Sequence, residues 1–132
     1  MSSVKEQWIK EACQVYQRAY VPYSKFPVGA CLVTKDDQIF TGVNIENASF
    51  GLTNCAERTA FFKAVSEGHR DFKHLVVAGD TDDPISPCGA CRQVMVEFCD
   101  SSMPVTLVNK DGVTKEMTVG ELMPYSFTEE QL

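Results

Sequence analysis

Cys55-Ala56-Glu57 and, further along, Pro87-Cys88-Gly89-Ala90-Cys91 constrain this chain of 132 residues more than any other feature, because thiols at these spacings can close on one ion in only one kind of local fold. Cys88 and Cys91, at i and i+3, share one face of a helix and can chelate together. Pro87 suits the position just before such a helix. Cys55 and Glu57, at i and i+2, point apart inside a regular helix, so both approach one metal only where Cys55 opens the helix. The local sequence allows this. Thr53 and Asn54 are candidate N-caps, residues 56–65 are rich in helix formers with an apolar side at Ala60, Phe61 and Ala64, and Gly68 is a good stop. Two helix starts are therefore expected to meet at one point.

Three thiolates are one ligand short of the closed set used by structural zinc sites. Catalytic zinc sites keep that position for water, whose pKa the metal lowers to about 7 in favourable cases. One zinc ion per chain, held by Cys55, Cys88 and Cys91, is expected, with the Glu57 carboxylate unsuited to serve as the fourth ligand. Three thiolates and Zn²⁺ sum to one negative charge, which blunts this acidification unless positive charge lies nearby. A helix N-terminus supplies about half a unit. Arg58, at i+3 from Cys55, and Arg92, at i+4 from Cys88, share faces with the thiolates, and Arg58 is the expected charge compensator.

Two blander readings compete. A structural zinc module would take its fourth ligand from Cys31, Cys99, His69 or His74, but none of these stands at ligand spacing from another candidate, and a chain of this size buries a core without a metal staple. A redox Cys-x-x-Cys pair has no need of a distant Cys-x-Glu. A lone Glu in a first helical turn merely favours the helix dipole, a reading that weakens two residues from a thiolate.

Composition fits one compact domain spanning 1–132: 44% of residues are apolar and 23% charged. Six cysteines with no signal peptide and no long apolar run read as cytosolic thiols and metal ligands, which implies a cytoplasmic protein without a membrane partner. The net charge of -6 and the lack of any Lys/Arg cluster argue against a nucleic-acid partner, since phosphate neutralisation dominates that affinity.

Along the chain, Ser3-Val4-Lys5-Glu6 reads as a capping box, followed by Val4, Trp8, Ile9, Ala12, Val15, Tyr16 and Ala19 at helical spacing up to Pro22. Residues 28–34 and 38–44 are strand-like runs joined by a turn at Lys35-Asp36-Asp37. The Cys55 helix follows, then a short strand at 75–79 buried on both faces, a loop at 80–87 and the Cys88 helix ending near Asp100. Residues 105–109 and 113–118 flank Lys110-Asp111-Gly112, so the last two strands are expected to be antiparallel neighbours. The sum is an αββαβαββα chain of α/β class: three layers, with helices covering the faces of a mixed five-stranded sheet. Cys13, Cys31 and Cys99 read as small buried hydrophobes, and His69 and His74 as surface or packing residues.

The strings Asn54-Cys55-Ala56-Glu57-Arg58-Thr59-Ala60 and Ser86-Pro87-Cys88-Gly89-Ala90-Cys91-Arg92-Gln93-Val94 resemble the zinc-dependent nucleobase and nucleoside deaminases, with Cys in place of the His of the family's other ligand pattern. Further matches are Tyr23 to Phe26, Val28 to Ala30, Asn44 to Ala48 and Pro124 to Phe127. Together they are similar to the small homotetrameric cytidine deaminases of pyrimidine salvage. The resemblance implies the cytidine deaminase fold and hydrolysis of free cytidine and deoxycytidine to the uridine nucleosides and ammonia. Zinc-activated water would attack C4, with Glu57 taking its proton and passing it to N3 and then to the departing ammonia. Antiparallel final strands are the arrangement of the free-nucleoside enzymes, whereas polynucleotide-editing relatives insert a helix and run them parallel.

The resemblance also assigns the substrate contacts. Asn44 and Glu46, read as sharing one strand face, would bind the ribose hydroxyls, Phe26 would pack on the pyrimidine, and the Ala56 backbone would donate to its carbonyl. Phe127 would enter a neighbouring subunit's pocket, and Ala48 and Phe50 would make another such contact. Many relatives carry Tyr where this chain has Phe50, so the stacking surface is kept without the hydroxyl. A homotetramer with shared sites is the implied assembly.

Overall fold

The computed structural model describes residues 4–132. Its elements run α1 (Glu6–Val15), β1 (Val28–Thr34), β2 (Ile39–Val43), α2 (Ala56–Ser66), β3 (Phe72–Gly79), α3 (Gly89–Phe98), β4 (Pro104–Val108), β5 (Thr114–Thr118) and the single turn α4 (Val119–Leu122). This is the order expected from the sequence. The strands form one mixed sheet in the order β2-β1-β3-β4-β5. β1 is antiparallel to both β2 and β3, β3 is parallel to β4, and β4 is antiparallel to β5. Gly112, at φ 81, supplies the left-handed residue of the last hairpin, and Asp37, at φ 68, does so in the first.

Alternation along the strands builds two cores. Ala30, Leu32, Leu75, Val77, Val105 and Leu107 pack with Ala60, Phe61 and Ala64 of α2 and with Cys91 and Met95 of α3. Their neighbours Cys31, Val33, Val76, Ala78 and Val108 point the other way, onto Trp8 and Ala12 of α1. Fully burying one such side chain, Phe61 or Leu75 for example, stabilises the fold by about 1.5–3 kcal/mol.

Two glycines let the helices reach the sheet. A Cβ on Gly29 would stand 2.2 Å from the Ala12 carbonyl oxygen on one face. One on Gly42 would stand 2.4 Å from the Ala56 carbonyl oxygen and 2.5 Å from the Ala60 nitrogen on the other. These obstacles are backbone atoms that cannot swing aside.

Several boundaries differ from the sequence expectation. Ser3 of the expected capping box lies outside the described residues, and Lys5 is the N-cap of α1, with no side-chain cap bond. α1 stops at Val15, well before Pro22, and loosens into a 3₁₀ turn at Tyr16–Arg18. The cause is tertiary: Tyr20 is drawn into an extended bridge with Ile45, its N–H donating to the Asn44 carbonyl. β3 begins three residues earlier than its apolar run, at Phe72, because β1 offers it a partner as far as Thr34. α3 ends at Phe98, with Cys99 already extended.

Cys31 is buried, whereas Cys13 and Cys99 are only half-buried. His74 is a packing residue, fully buried with its ring 5.1 Å from that of Trp8. Its Nε2 lies 2.8 Å from the Thr106 hydroxyl, which in turn donates to Glu116. Burial holds the His74 pKa below its ordinary value, which favours the neutral ring. His69 packs its ring against Phe40 at 5.0 Å.

Gly42→Ala should destabilise the protein by about 1–3 kcal/mol, the usual cost of overpacking, and lower its thermal midpoint. Gly51→Ala, whose added Cβ meets nothing within 4 Å, should not. Equal midpoints for the two variants would show that α2 does not rest on β2 at this contact.

Candidate active site

β2 and β3 run in the same direction, since each is antiparallel to β1 between them, so their C-terminal ends share one edge of the sheet. From that edge the chain leads to the starts of α2 and α3, the place where open α/β sheets bind ligands. The intervening segment is pinned. Ile45 and Asn54 exchange backbone hydrogen bonds at 2.9 and 3.0 Å, and the Glu46 N–H donates to the Tyr20 carbonyl at 2.9 Å. This ties residues 44–46 to the entry of α2.

Both of these helices begin on a cysteine. Cys55 is the N-cap of α2, with φ -80 and ψ 158, and takes the place expected of Thr53 or Asn54. Cys88 is the N-cap of α3, and its sulfur accepts from the Cys91 N–H at 3.5 Å. Gly68, at φ 95, follows α2 as expected. The sulfurs of Cys55 and Cys88 are 3.6 Å apart and those of Cys88 and Cys91 3.3 Å, and all three lie within 4.8 Å of one another. Sulfurs bound at about 2.3 Å to one tetrahedral zinc stand about 3.8 Å apart, so the cluster is close to the size the ion requires. Among the described residues no fourth Cys, His, Asp or Glu joins the group, and Cys31, Cys99, His69 and His74 lie outside it.

Charge around the sulfurs is uneven. The Arg58 Nη2 donates to the Cys55 sulfur at 3.3 Å, as expected of the charge compensator, and its buried Nε has no protein partner. Hydrogen bonding from the Cys91 thiol, with Arg58 and Cys88 adding to it, pulls the Cys55 pKa down to about 5. The same interaction and burial push the Cys91 thiol up, and the thiolate at Cys55 raises the Arg58 pKa. Without metal, the cluster therefore carries its first negative charge on Cys55. Zinc would draw the remaining protons off.

Glu57 is the second residue of α2 and only 4% exposed. Burial raises its pKa to about 7, against the favourable pull of a first-turn backbone N–H. A carboxyl poised there exchanges protons readily at neutral pH. Ala56, fully buried, heads the same helix, where a backbone N–H has no intrahelical acceptor.

Arg92 departs from expectation. It does not contact the sulfurs: Nε donates to the Pro87 carbonyl at 2.9 Å, Nη1 to the Leu122 carbonyl at 2.7 Å and Nη2 to the Ser86 hydroxyl at 2.6 Å. A long guanidinium can turn back along its helix to reach orphan carbonyls, which the i+4 spacing alone does not reveal.

Asn44 and Glu46 likewise fail to share a strand face, because β2 ends at Val43. Both grip the loop that carries Phe26. Asn44 is buried; its Oδ1 accepts from the Val28 N–H at 2.9 Å and its Nδ2 donates to the Phe26 carbonyl at 2.8 Å. Glu46 accepts from the Ser24 hydroxyl and from the Ser24 and Tyr23 N–H groups, both at 3.1 Å, and these bonds, led by the hydroxyl, hold its pKa below the usual range. No motif signals this clasp, since its members are far apart in sequence.

A cleft of about 320 Å³ opens here, lined by Tyr23, Ser24, Glu46, Phe50 and Thr53. Phe50 is 78% exposed, and Ala48, Phe26 and Phe127 are also at the surface. Phe127 lies outside the lining of this cleft, its carbonyl accepting from Gln93 Nε2 at 2.9 Å.

Residues 2–107 match the family described as the cytidine and deoxycytidylate deaminase zinc-binding region. A cytidine deaminase of Sporosarcina psychrophila is 58% identical over 96% of this chain and 93% of its own length. The crystal structure of cytidine deaminase from Burkholderia pseudomallei superposes with a TM-score of 0.92 at 46% identity, covering 95% of this chain and all of that one. A blasticidin-S deaminase of Bacillus cereus is more distant, 33% identical over 80% of this chain and 79% of its own length. The sulfur cluster at the head of two helices, the sheet behind it and these likenesses agree: the chain belongs to the cytidine and deoxycytidylate deaminase family, whose fold and zinc-binding region it carries.

Proposed function

We propose that the protein catalyses the hydrolytic deamination of free cytidine and deoxycytidine to uridine and deoxyuridine, with release of ammonia. The observation that carries this reading is the buried carboxyl of Glu57 beside three converging sulfurs that take no fourth protein ligand among the described residues. Cys55, Cys88 and Cys91 would hold the zinc ion, which would supply Lewis-acid activation of water. Glu57 takes a proton from the attacking water as the C4–O bond forms, and delivers it to N3. It then carries the second proton to the amino group as the C4–N bond breaks and ammonia leaves. Arg58 offsets thiolate charge at Cys55.

The contacts to the nucleoside follow from the loop cluster. Ala56 offers its backbone N–H to the pyrimidine carbonyl, and Phe26 its ring to the base. An amide has two N–H donors and only one of Asn44's is taken by Phe26, while the Glu46 carboxylate keeps lone pairs beyond its loop bonds, so both can reach the ribose. Exposed Phe127 and Phe50, with Ala48, suit pockets completed by neighbouring chains, and a homotetramer with one nucleoside site per subunit is the assembly proposed. Among the described residues no helix is long and apolar enough to cross a membrane. We assign the chain, as one domain over 1–132, to pyrimidine salvage in the cytoplasm.

Ammonia release from cytidine and from blasticidin S, assayed side by side, tests the substrate, and inertness towards cytidine would reject the proposal. Glu57→Gln should fold, hold one zinc per chain and lose at least about 100-fold in kcat, the low end of what positioned proton transfer supplies. An active Glu57→Gln enzyme would remove the proton carrier from the mechanism.

Stability of the metal-free protein should report Glu57 directly. Its pKa rises from 4.5 to about 7 on folding, so the folded state binds this proton more tightly than the unfolded chain. The stabilisation is complete below pH 4.5, is lost as pH rises to about 7 and is absent above that. The thermal midpoint of the wild type, measured relative to Glu57→Gln, should accordingly fall across that window and then level off. A difference independent of pH would mean that Glu57 is not desolvated. Sedimentation equilibrium should give four chains of 14.7 kDa, with a monomer overturning the shared pockets.

A further inference from the structure

Leu122 and Phe127 bracket five residues whose two end carbonyls are held by consecutive side chains of α3. Arg92 Nη1 donates to the Leu122 carbonyl at 2.7 Å, and Gln93 Nε2 donates to the Phe127 carbonyl at 2.9 Å. Between these anchors Tyr125 is fully exposed and sits at φ 52, a left-handed conformation that L-residues rarely adopt. It stands in the turn directly after Pro124, whose ring fixes the preceding φ, and the residues on either side of that turn are tied to consecutive positions of α3. Immediately beyond, Thr128 opens a 3₁₀ turn with a capping box to Gln131, whose hydrogen bonds stay within the tail. Phe127 is thus held through its own carbonyl while the residue is 56% exposed.

We propose that Gln93 is a positioning residue for nucleoside binding: with Arg92 it straps the 123–127 segment to the helix that carries Cys91, and so sets where Phe127 stands when it enters the neighbouring pocket. The inference rests on the shared-pocket reading of Phe127 given above. It adds a route between subunits. The helix that begins at Cys88 and carries Cys91 in one chain also anchors the segment bearing the aromatic that completes the site of the next.

Gln93→Glu is the cleanest probe, since it keeps size and shape but replaces the amide donor with an acceptor that the Phe127 carbonyl repels. On the zinc-loaded oligomer, the equilibrium affinity for uridine by calorimetry and the KM for cytidine should both worsen about 3- to 10-fold, the worth of one hydrogen bond. kcat and zinc content should stay within twofold, and amide hydrogen exchange over 123–127 should speed up. Phe127→Ala should weaken uridine at least as much, and the double variant Gln93→Glu/Phe127→Ala should be no worse than Phe127→Ala alone, because two residues acting through one contact do not add. Unchanged uridine affinity in Gln93→Glu while Phe127→Ala weakens it, or additive losses in the double variant, would overturn the strap and leave the shared pocket standing. Unchanged affinity in Phe127→Ala would sink both.

Discussion

Everything chemical in this fold depends on two helices beginning at the same point. A helix start is a place of unpaired N–H groups and about half a positive charge, and bringing two of them together makes a site that favours anions before any side chain is added. Antiparallel pairing of β1 with both β2 and β3 forces those outer strands to point the same way, so the chains leaving them emerge side by side. Cys55 and Cys88 occupy the N-cap positions themselves, where Ser, Thr, Asp or Asn would ordinarily stand. At α3 the usual capping oxygen is replaced by the Cys88 sulfur, which accepts from the Cys91 N–H, whereas Cys55 begins α2 with no side-chain cap bond and its sulfur stands 3.6 Å from that of Cys88.

That arrangement addresses the electrostatic weakness of an all-sulfur site. Three thiolates over-neutralise a divalent ion and reduce its pull on water. Against this stand the two helix dipoles and the Arg58 guanidinium, 3.3 Å from the Cys55 sulfur. The opposed behaviour of the thiols, Cys55 down to about 5 and Cys91 up, shows how crowded the charge is: the first thiolate is welcome and the next ones are not until a cation arrives. Glu57 lies in the same field but answers chiefly to burial, which keeps its proton affinity high beside a site built to attract anions. One helix turn thus holds a thiol made acidic and a carboxyl made basic, a separation of two residues being enough to divide their environments.

Local chemistry made much of this readable from the chain. The thiol spacing dictated a helix opening at Cys55, Gly112 a hairpin, and the unbroken apolar run after His74 a strand covered on both faces. What stayed hidden was tertiary. α1 has apolar residues at helical spacing through Ala19, yet ends at Val15 because Tyr20 is taken into a bridge with Ile45, a partner that no local pattern announces. Asn44 and Glu46 looked like alternate residues of one strand; the strand stops at Val43, and both turn to grip the Phe26 loop. Arg92 stood at the right spacing to assist the sulfurs and instead found the carbonyls of Pro87 and Leu122. Spacing limits what a side chain can reach, and competition among acceptors decides what it does reach.

The sheet's far face bears on the site as well. β1, β3 and β4 each contribute to both cores by alternation, so Leu75 supports α2 and α3 while its neighbour Val76 rests under α1. On the α1 side the buried His74 of β3 is tied through Thr106 of β4 to Glu116 of β5, a polar link across three strands. Such a link resists a slip in register better than apolar contacts do, since a shift of one residue would leave the imidazole and the hydroxyl unpaired. Register in β3 and β4 fixes where β3 ends, and that end fixes where the loop to Cys88 begins. With Gly29 and Gly42 letting α1 and α2 press directly on opposite faces, the three layers leave little freedom in the direction that would separate Cys55 from Cys88. The sulfur positions are therefore a property of the whole stack, and the metal closes on a geometry that packing has largely set beforehand.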